Sequence, residues 1–286
     1  MSKKSRTVLL FVPADRPDFF DKAFSSGADS VIFDLEDAVT GKMKDKSRKT
    51  LEEYITNKKV DHPEIAIRIN PLSTPWGNED LRMALSLDFS LTVLVPKAEP
   101  ETVREIDKLL GASPLNIICL IETARGLQRA YETALASQRI SGFMLGAEDL
   151  ALEMNLERTT GGEEIAHARQ VVALAAYAAG IQPVDTPYLQ VSDMEGLRLD
   201  TENARKAGFS AKAAISPRQV PVIREAFRPG QDDFEKALKI VRAAEEAEKS
   251  GRGIIMLDGC MIDEPVVSRA RHILKMWKEA GGSGDS

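Results

Sequence analysis

Ile140-Ser-Gly-Phe-Met-Leu-Gly-Ala-Glu-Asp-Leu150 is an apolar run that breaks off at a glycine and two acids. A run of this length with such a boundary predicts a buried strand with Glu148 and Asp149 at its C-terminal end. Asn116-Ile-Ile-Cys-Leu-Ile-Glu-Thr123 has the same form and ends in Glu122. From 122 to 149 is the length of one strand–helix–strand repeat, so neighbouring parallel strands would hold Glu122 and Asp149 side by side. Two carboxylates at strand ends, without His or Cys nearby, suit a hard cation such as Mg²⁺. The plainer alternative is that each acid caps the helix after it. The pair favours the site, because Arg68 and Glu36-Asp37 fall at matching places.

Working outward, the same pattern recurs along the chain. Strands are expected over 7–13, 30–37, 64–70, 91–97, 116–122, 140–149, 181–187 and 211–217, with helical stretches between them. Helices are expected from Phe19 to Phe24, from Glu79, over Glu101 to Leu110, Arg125 to Ala136, Glu163 to Ala179 and Gly196 to Ala207. Strands alternating with helices imply a parallel sheet, and eight repeats in this length fit an α/β (β/α)₈ TIM barrel. An open doubly wound sheet would usually carry a glycine-rich loop after its first strand. Here that loop is Pro13-Ala-Asp-Arg-Pro17. Arg16, Glu36, Asp37, Arg68, Asn70, Lys97, Glu122, Asp149, Asp185 and Ser216 all fall at C-terminal strand ends, where barrels place their chemistry.

Residues 1–229 are therefore assigned to the barrel. Residues 230–280 are assigned to a small C-terminal helical lid and oligomerisation segment, and 281–286 to a flexible tail. The lid comprises an amphipathic helix over Asp232 to Ser250, an extended stretch turning at Asp258-Gly259, and a last helix from Pro265.

Bulk properties narrow the function. The chain has 286 residues, 43% hydrophobic and 29% charged, which suits a globular enzyme. A net charge of −6 argues against a general nucleic-acid surface. The apolar run after the basic N-terminus is too short to span a membrane, and a cytoplasmic location follows by default. Cys119 and Cys260 have apolar neighbours and read as reduced core thiols. His62, His167 and His272 are scattered and carry no assigned chemistry.

Arg68 has two readings: a structural ion pair with Glu36 or Asp37, or bidentate capture of a substrate carboxylate. Glu36 and Asp37 fit outer-shell support, holding metal-bound waters or orienting Arg68. Arg16, Lys22 and Lys97 are surface charges or phosphate contacts. A Schiff base at Lys97 ranks low beside a metal-binding acid pair.

Eight motifs occur in order: Phe11-Val-Pro13, Phe33-Asp-Leu-Glu-Asp-Ala38, Arg68-Ile-Asn70, Pro96-Lys97, Ile121-Glu-Thr123, Gly146-Ala-Glu-Asp-Leu150, Ile215-Ser-Pro217 and Asp258-Gly-Cys-Met-Ile-Asp263. Together they resemble the citrate lyase β-subunit-like family of citryl, malyl and citramalyl thioester lyases, within the HpcH/HpaI aldolase superfamily. The resemblance implies a TIM barrel with Mg²⁺ between Glu122 and Asp149, and Arg68 and Glu122 as substrate contacts. It implies coenzyme A near Phe11 and Lys22, with Arg16 a further candidate. Pro13-Ala14-Asp15 stands where many relatives have Pro-Gly. It also implies that Asp263 closes over a neighbour's active site as acid/base in a homo-oligomer, a trimer or a multiple of it. The expected activity is cleavage of a malyl-, citramalyl- or citryl-type CoA thioester to acetyl-CoA and a 2-oxo acid. Two alternatives are a citrate lyase β subunit acting on an acyl-carrier-protein thioester and a CoA-independent class II aldolase.

Overall fold

The computed structural model describes residues 6–58, 63–87, 90–249 and 255–279. Residues 1–5, His62, the Gly251-Arg-Gly253 break, Ile254 and the tail 281–286 lie outside these. The chain divides into two compact units, Met1–Phe227 and Arg228–Ser286.

The first unit is a closed barrel of eight parallel strands paired in sequence order, with β1 joining β8. The strands are β1 (Val8–Pro13), β2 (Ser30–Asp34), β3 (Glu64–Arg68), β4 (Thr92–Val95), β5 (Asn116–Ile121), β6 (Ile140–Leu145), β7 (Gln182–Asp185) and β8 (Ala211–Ala214). Each is shorter than its apolar run; in all but β1, the last residues of the run lie beyond the strand, in the βα loops or the following helix. Both faces of the sheet are buried, which is why these strands read as continuous apolar runs rather than alternating ones.

Alternation still decides which way each side chain points. Leu9, Ile32, Ala66, Leu94, Ile118, Leu120, Met144, Val184, Ala211 and Ala213 form one buried cluster, with Phe11 packed on it. This is the barrel interior. The intervening residues, among them Leu10, Phe33, Ile67, Val93, Cys119 and Phe143, join a larger cluster with the helices. At the N-terminal end of the strands, Arg6 donates to Glu64 at 2.5 and 2.8 Å and to Ser141 at 3.2 Å.

Two expectations about single elements need correction. The stretch Arg125 to Ala136 is two short helices, Ala124–Gln128 and Ala130–Ala134, broken at Arg129 (φ −106, ψ 15). Asp185 does not face the barrel mouth. It sits beside Lys212 in register, on the face opposite Val184 and Ala211, so it points into the helix layer.

In the second unit, the helix Gln231–Lys249 packs against the helix Glu264–Glu279, with Phe234 stacked on Trp277 at 4.9 Å. Between them, β9 (Ile255–Leu257) and β10 (Cys260–Ile262) form an antiparallel hairpin. Its turn places Asp258 and Gly259 at φ 51 and 79, the left-handed pair that an Asp-Gly turn supplies. Cys260 is exposed rather than in a core, because only Ile262 of β10 packs inward, with Ala244 and Val267. Cys119 is buried in the barrel wall, as expected. Among the described residues no helix is long and apolar enough to cross a membrane.

Candidate active site

A cavity of about 310 Å³ opens at the C-terminal ends of the strands. Its floor is apolar, with Leu120, Met144 and Phe11. Its rim is acidic, with Asp34, Asp37, Glu122, Glu148 and Asp149 around Arg68. The structure thus gathers Phe11, Asp37, Arg68, Glu122 and Asp149 of the expected site around one space. Glu36 reaches Arg68 from behind.

Glu122 directly follows β5 and continues its inward parity from Ile118 and Leu120. It is 4% exposed. Its Oε1 accepts a 2.8 Å hydrogen bond from the Lys97 backbone N–H, and among the described residues no side-chain cation pairs with it. Burial, together with the nearby charges of Glu36 and Asp149, pushes its carboxyl up to about 8. Gly146 faces it at close quarters: a Cβ there would lie 2.5 Å from the Glu122 Cβ and 2.7 Å from Oε2. Only glycine leaves room for this carboxylate.

Asp149 is not at the strand end proper. The strand stops at Leu145, and Asp149 lies in the first turn of the helix Ala147–Met154. Asp149 is thus a helix-start residue that also lines the cavity. Its Oδ2 lies 3.3 Å from the Lys97 ammonium, which it holds above the usual lysine range against an opposing effect of burial. Lys97 itself has a left-handed backbone, φ 45. For a residue other than glycine this costs about 1 kcal/mol or more. That turn aims the Lys97 N–H at Glu122 and its side chain at Asp149, so one residue touches both acids.

Arg68 ends β3, in register with Asp34 at the end of β2. Its Nε and Nη2 donate to Asp34 Oδ1 and Oδ2 at 2.7 and 2.6 Å. Its Nη1 lies 2.9 Å from Glu36 Oε2, in ion-pair range though not aligned as a hydrogen bond, and 3.4 Å from Asp37 Oδ2. The expected partners are thus present, but the bidentate edge belongs to Asp34, which sequence reasoning left out of the site. The available signal was parity alone, since Asp34 shares the inward face with Ile32; its pairing with Arg68 appears only with the sheet register. These acids hold the guanidinium above its ordinary range despite burial. Burial drives the Glu36 carboxyl up to about 7, with Arg68 opposing and the charges of Asp37 and Asp34 adding to the rise.

The loop carrying these acids is fixed from below. Lys44 is buried and donates to the carbonyls of Leu35 and Glu36 at 2.7 and 2.6 Å. Asn70, expected to share a face with Arg68, spends its amide on Leu35 O and Asp80 Oδ2. It is therefore a structural residue.

On the other side of the barrel, Arg169, Asp185, Asp200 and Lys212 form a buried network of two cations and two anions. Arg169 grips Asp185 through two 2.9 Å bonds and reaches Asp200 at 2.6 Å. Lys212 reaches Asp185 at 2.5 Å, Asp200 at 2.6 Å and the Thr186 carbonyl at 2.7 Å. The opposite charges compensate one another, which makes their burial tolerable. Thr186 lines the cavity, and its hydroxyl accepts from Ala147 N–H at the start of the helix bearing Asp149.

Of the remaining expected contacts, Arg16 forms an exposed pair with Asp18 at 2.8 Å and lies 4.0 Å over the Phe19 ring. Lys22 is 5.8 Å from the same ring, and both are solvent-exposed. Ser216 is half-buried in the loop after β8 and does not line the cavity. Asp263 belongs to the second unit, where its Oδ1 caps the helix Glu264–Glu279 by accepting from Val266 N–H at 3.2 Å. Among the described residues no cluster of three or more His, Cys, Asp or Glu is placed to hold a metal. Any cation between Glu122 and Asp149 must complete its shell with water and substrate oxygens, as Mg²⁺ commonly does.

A closed (β/α)₈ barrel with an acid pair and a braced arginine at its C-terminal mouth defines a barrel enzyme of the aldolase and lyase kind. The chain belongs to the HpcH/HpaI aldolase/citrate lyase family, whose model matches residues 7–217. It is 35% identical to the citrate lyase subunit beta of Haemophilus influenzae, over 96% of this chain and 98% of that protein. It is 32% identical to the (3S)-malyl-CoA thioesterase of Cereibacter sphaeroides, over 93% and 92%. Among solved structures, it is similar to CitE from Mycobacterium tuberculosis in complex with magnesium, acetoacetate and coenzyme A. The TM-score is 0.82 at 34% identity, covering 96% of this chain and 98% of that one.

Proposed function

We propose that this protein is a Mg²⁺-dependent carbon–carbon lyase that cleaves a malyl-, citramalyl- or citryl-type CoA thioester to acetyl-CoA and a 2-oxo acid, or runs the reverse condensation. The observation that carries this reading is the buried, cation-poor Glu122 beside Asp149, across a small cavity from Arg68. A carboxylate buried this deeply without a side-chain cation fits a site built for a divalent ion. Its magnesium-bound relative supports the same assignment.

Mg²⁺ held by Glu122 and Asp149 would supply Lewis-acid charge at the substrate's hydroxyl and adjoining carboxylate oxygens. The remaining N–H groups of Arg68 Nη1 and Nη2 meet the substrate carboxylate or the enolate oxygen of the acetyl thioester. Asp34, Glu36 and Asp37 keep the guanidinium from turning. The bond between the hydroxyl-bearing carbon and the thioester α-carbon breaks, and its electron pair passes to the acetyl enolate. The hydroxyl gives its proton to water as the carbonyl forms. The acetyl carbon gains one, and Asp263 of a neighbouring subunit is assigned that transfer. Phe11, Lys22 and Arg16 are assigned to the coenzyme A side. The 310 Å³ cavity accommodates the small acyl end, leaving the nucleotide at the rim.

Purified protein should release acetyl-CoA and a 2-oxo acid from at least one of the three thioesters, and EDTA should stop the release. A protein inert on all three with Mg²⁺ present would overturn the assignment. Relatives named citrate lyase subunit beta favour a second reading, in which the thioester is carried on an acyl carrier protein. That reading predicts turnover only when a carrier-protein thioester is supplied.

A further inference from the structure

Lys97 occupies an unusual position in the site just described. It is 53% exposed at its side chain, follows β4, and takes a left-handed backbone that an unbranched residue rarely adopts without cause. Its N–H holds one carboxylate of the acid pair and its ammonium holds the other. Glu36 is the next acid it faces. Asp149 has no other side-chain cation in ion-pair range among the described residues. The ammonium thus stands where a second positive charge must come if the pair takes a divalent ion.

We propose that Lys97 is a tethered counter-cation that holds the acid pair apart from metal and is displaced from Asp149 when Mg²⁺ binds. A monovalent ammonium on a flexible stem can leave, because its exposed side chain has solvent to move into. The Lys97 N–H bond to Glu122 is a backbone contact and stays. The two halves of the residue therefore do different work: the main chain fixes one ligand, and the side chain guards the other. The displaced ammonium remains close to the cavity mouth and can meet the anionic oxo acid. Metal and oxo acid should therefore each tighten the other's binding, as linkage requires of any such coupling. This inference rests on the magnesium site proposed above.

The test is calorimetric titration of Mg²⁺ into metal-free wild-type protein, Lys97→Met and Lys97→Arg, with folding checked by thermal melts in EDTA. Lys97→Met keeps the chain's bulk and removes the charge; it should bind Mg²⁺ about tenfold more tightly at low ionic strength, and the gain should shrink in high salt. Lys97→Arg should bind like wild type. Adding pyruvate should tighten Mg²⁺ binding in wild type and do so less in Lys97→Met. Should Lys97→Met fail to fold, Lys97→Asn, which tolerates a left-handed backbone, serves the same comparison. Equal or weaker Mg²⁺ binding by the uncharged variants would overturn the inference while leaving the metal site intact. A wild-type protein that binds no Mg²⁺ at all would remove both.

Discussion

Asp34 and Arg68 are cross-strand register partners at the ends of β2 and β3, and they meet fork to fork at 2.7 and 2.6 Å. Two parallel N–H···O bonds along one guanidinium edge fix its plane, so Arg68 is oriented before substrate arrives.

Removing that brace should separate stability from catalysis. Asp34→Asn should cost about 3 kcal/mol, the low end for breaking a buried pair, since Glu36 and Asp37 still face Arg68. Arg68→Lys keeps the charge but loses the fork, and kcat/KM should fall about 100-fold or more. Denaturant melts and steady-state kinetics on the same preparations check both. A fully active Arg68→Lys protein would mean that the guanidinium touches no reacting group.

The acid pair should lose its metal without losing the fold. Glu122→Gln and Asp149→Asn each remove an anionic oxygen while keeping volume, and each should weaken Mg²⁺ binding about 100-fold or more. Circular dichroism should be unchanged. If both variants retained wild-type affinity, the acids would be helix-start residues and nothing else.

Stability of the metal-free protein should fall as pH rises. The Glu122 and Glu36 carboxyls are raised to about 8 and about 7, chiefly by burial. The folded state therefore holds more protons than the unfolded state between the ordinary carboxylate range and those values. These two groups favour folding most in acid, and that contribution is lost as pH passes upward through about 7 and 8. Melting temperature in EDTA should decline from about pH 6 to about pH 8.5, less so in Glu122→Gln and less so with Mg²⁺ present. A profile identical in wild type and Glu122→Gln would contradict the buried-acid account.

Assembly is open to a mixing experiment. The proposed homo-oligomer, a trimer or a multiple of it, uses Asp263 in trans, and its exposed neighbours Met256 and Met261 are apolar surface near that residue in sequence. Asp263→Ala and Glu122→Gln subunits should each be inactive alone. They should regain part of the activity once mass spectrometry shows that they have exchanged. Exchanged but dead mixtures would place Asp263 in cis or outside the chemistry, and a monomer in light scattering would end the idea.

The barrel was legible in the sequence because parallel strands buried on both faces leave long apolar runs, each closed by polar residues. Glu122, Asp149 and Arg68 could be named for the same reason. The pairing of Asp34 with Arg68 was not legible, because it depends on the register between β2 and β3, which no local pattern encodes. Asp185 was misplaced by one step of strand parity. Being polar and near a strand end, it looked like a site residue, but Lys212 on the next strand draws it into the helix layer. Lys97 was visible only as a charge, since its left-handed backbone is set by the turn after β4 rather than by its own preference. Cys260 looked buried because its neighbours are apolar, yet it stands next to the hairpin turn and only Ile262, at the far end of β10, reaches the core.

The order of these residues along the chain has a consequence for inheritance. Phe11, Asp34, Glu36 and Arg68 come from the first three strands and the loop after β2, whereas Lys97, Glu122, Gly146 and Asp149 come from the turn after β4 through the start of the helix after β6. The part proposed to read an anion and the part proposed to hold a cation are thus contiguous stretches, separated by the residues between Arg68 and Lys97. A genetic crossover among those residues would exchange one stretch whole and leave the other untouched. If those roles hold, a lineage built this way could change the acid it recognises without rebuilding its metal site.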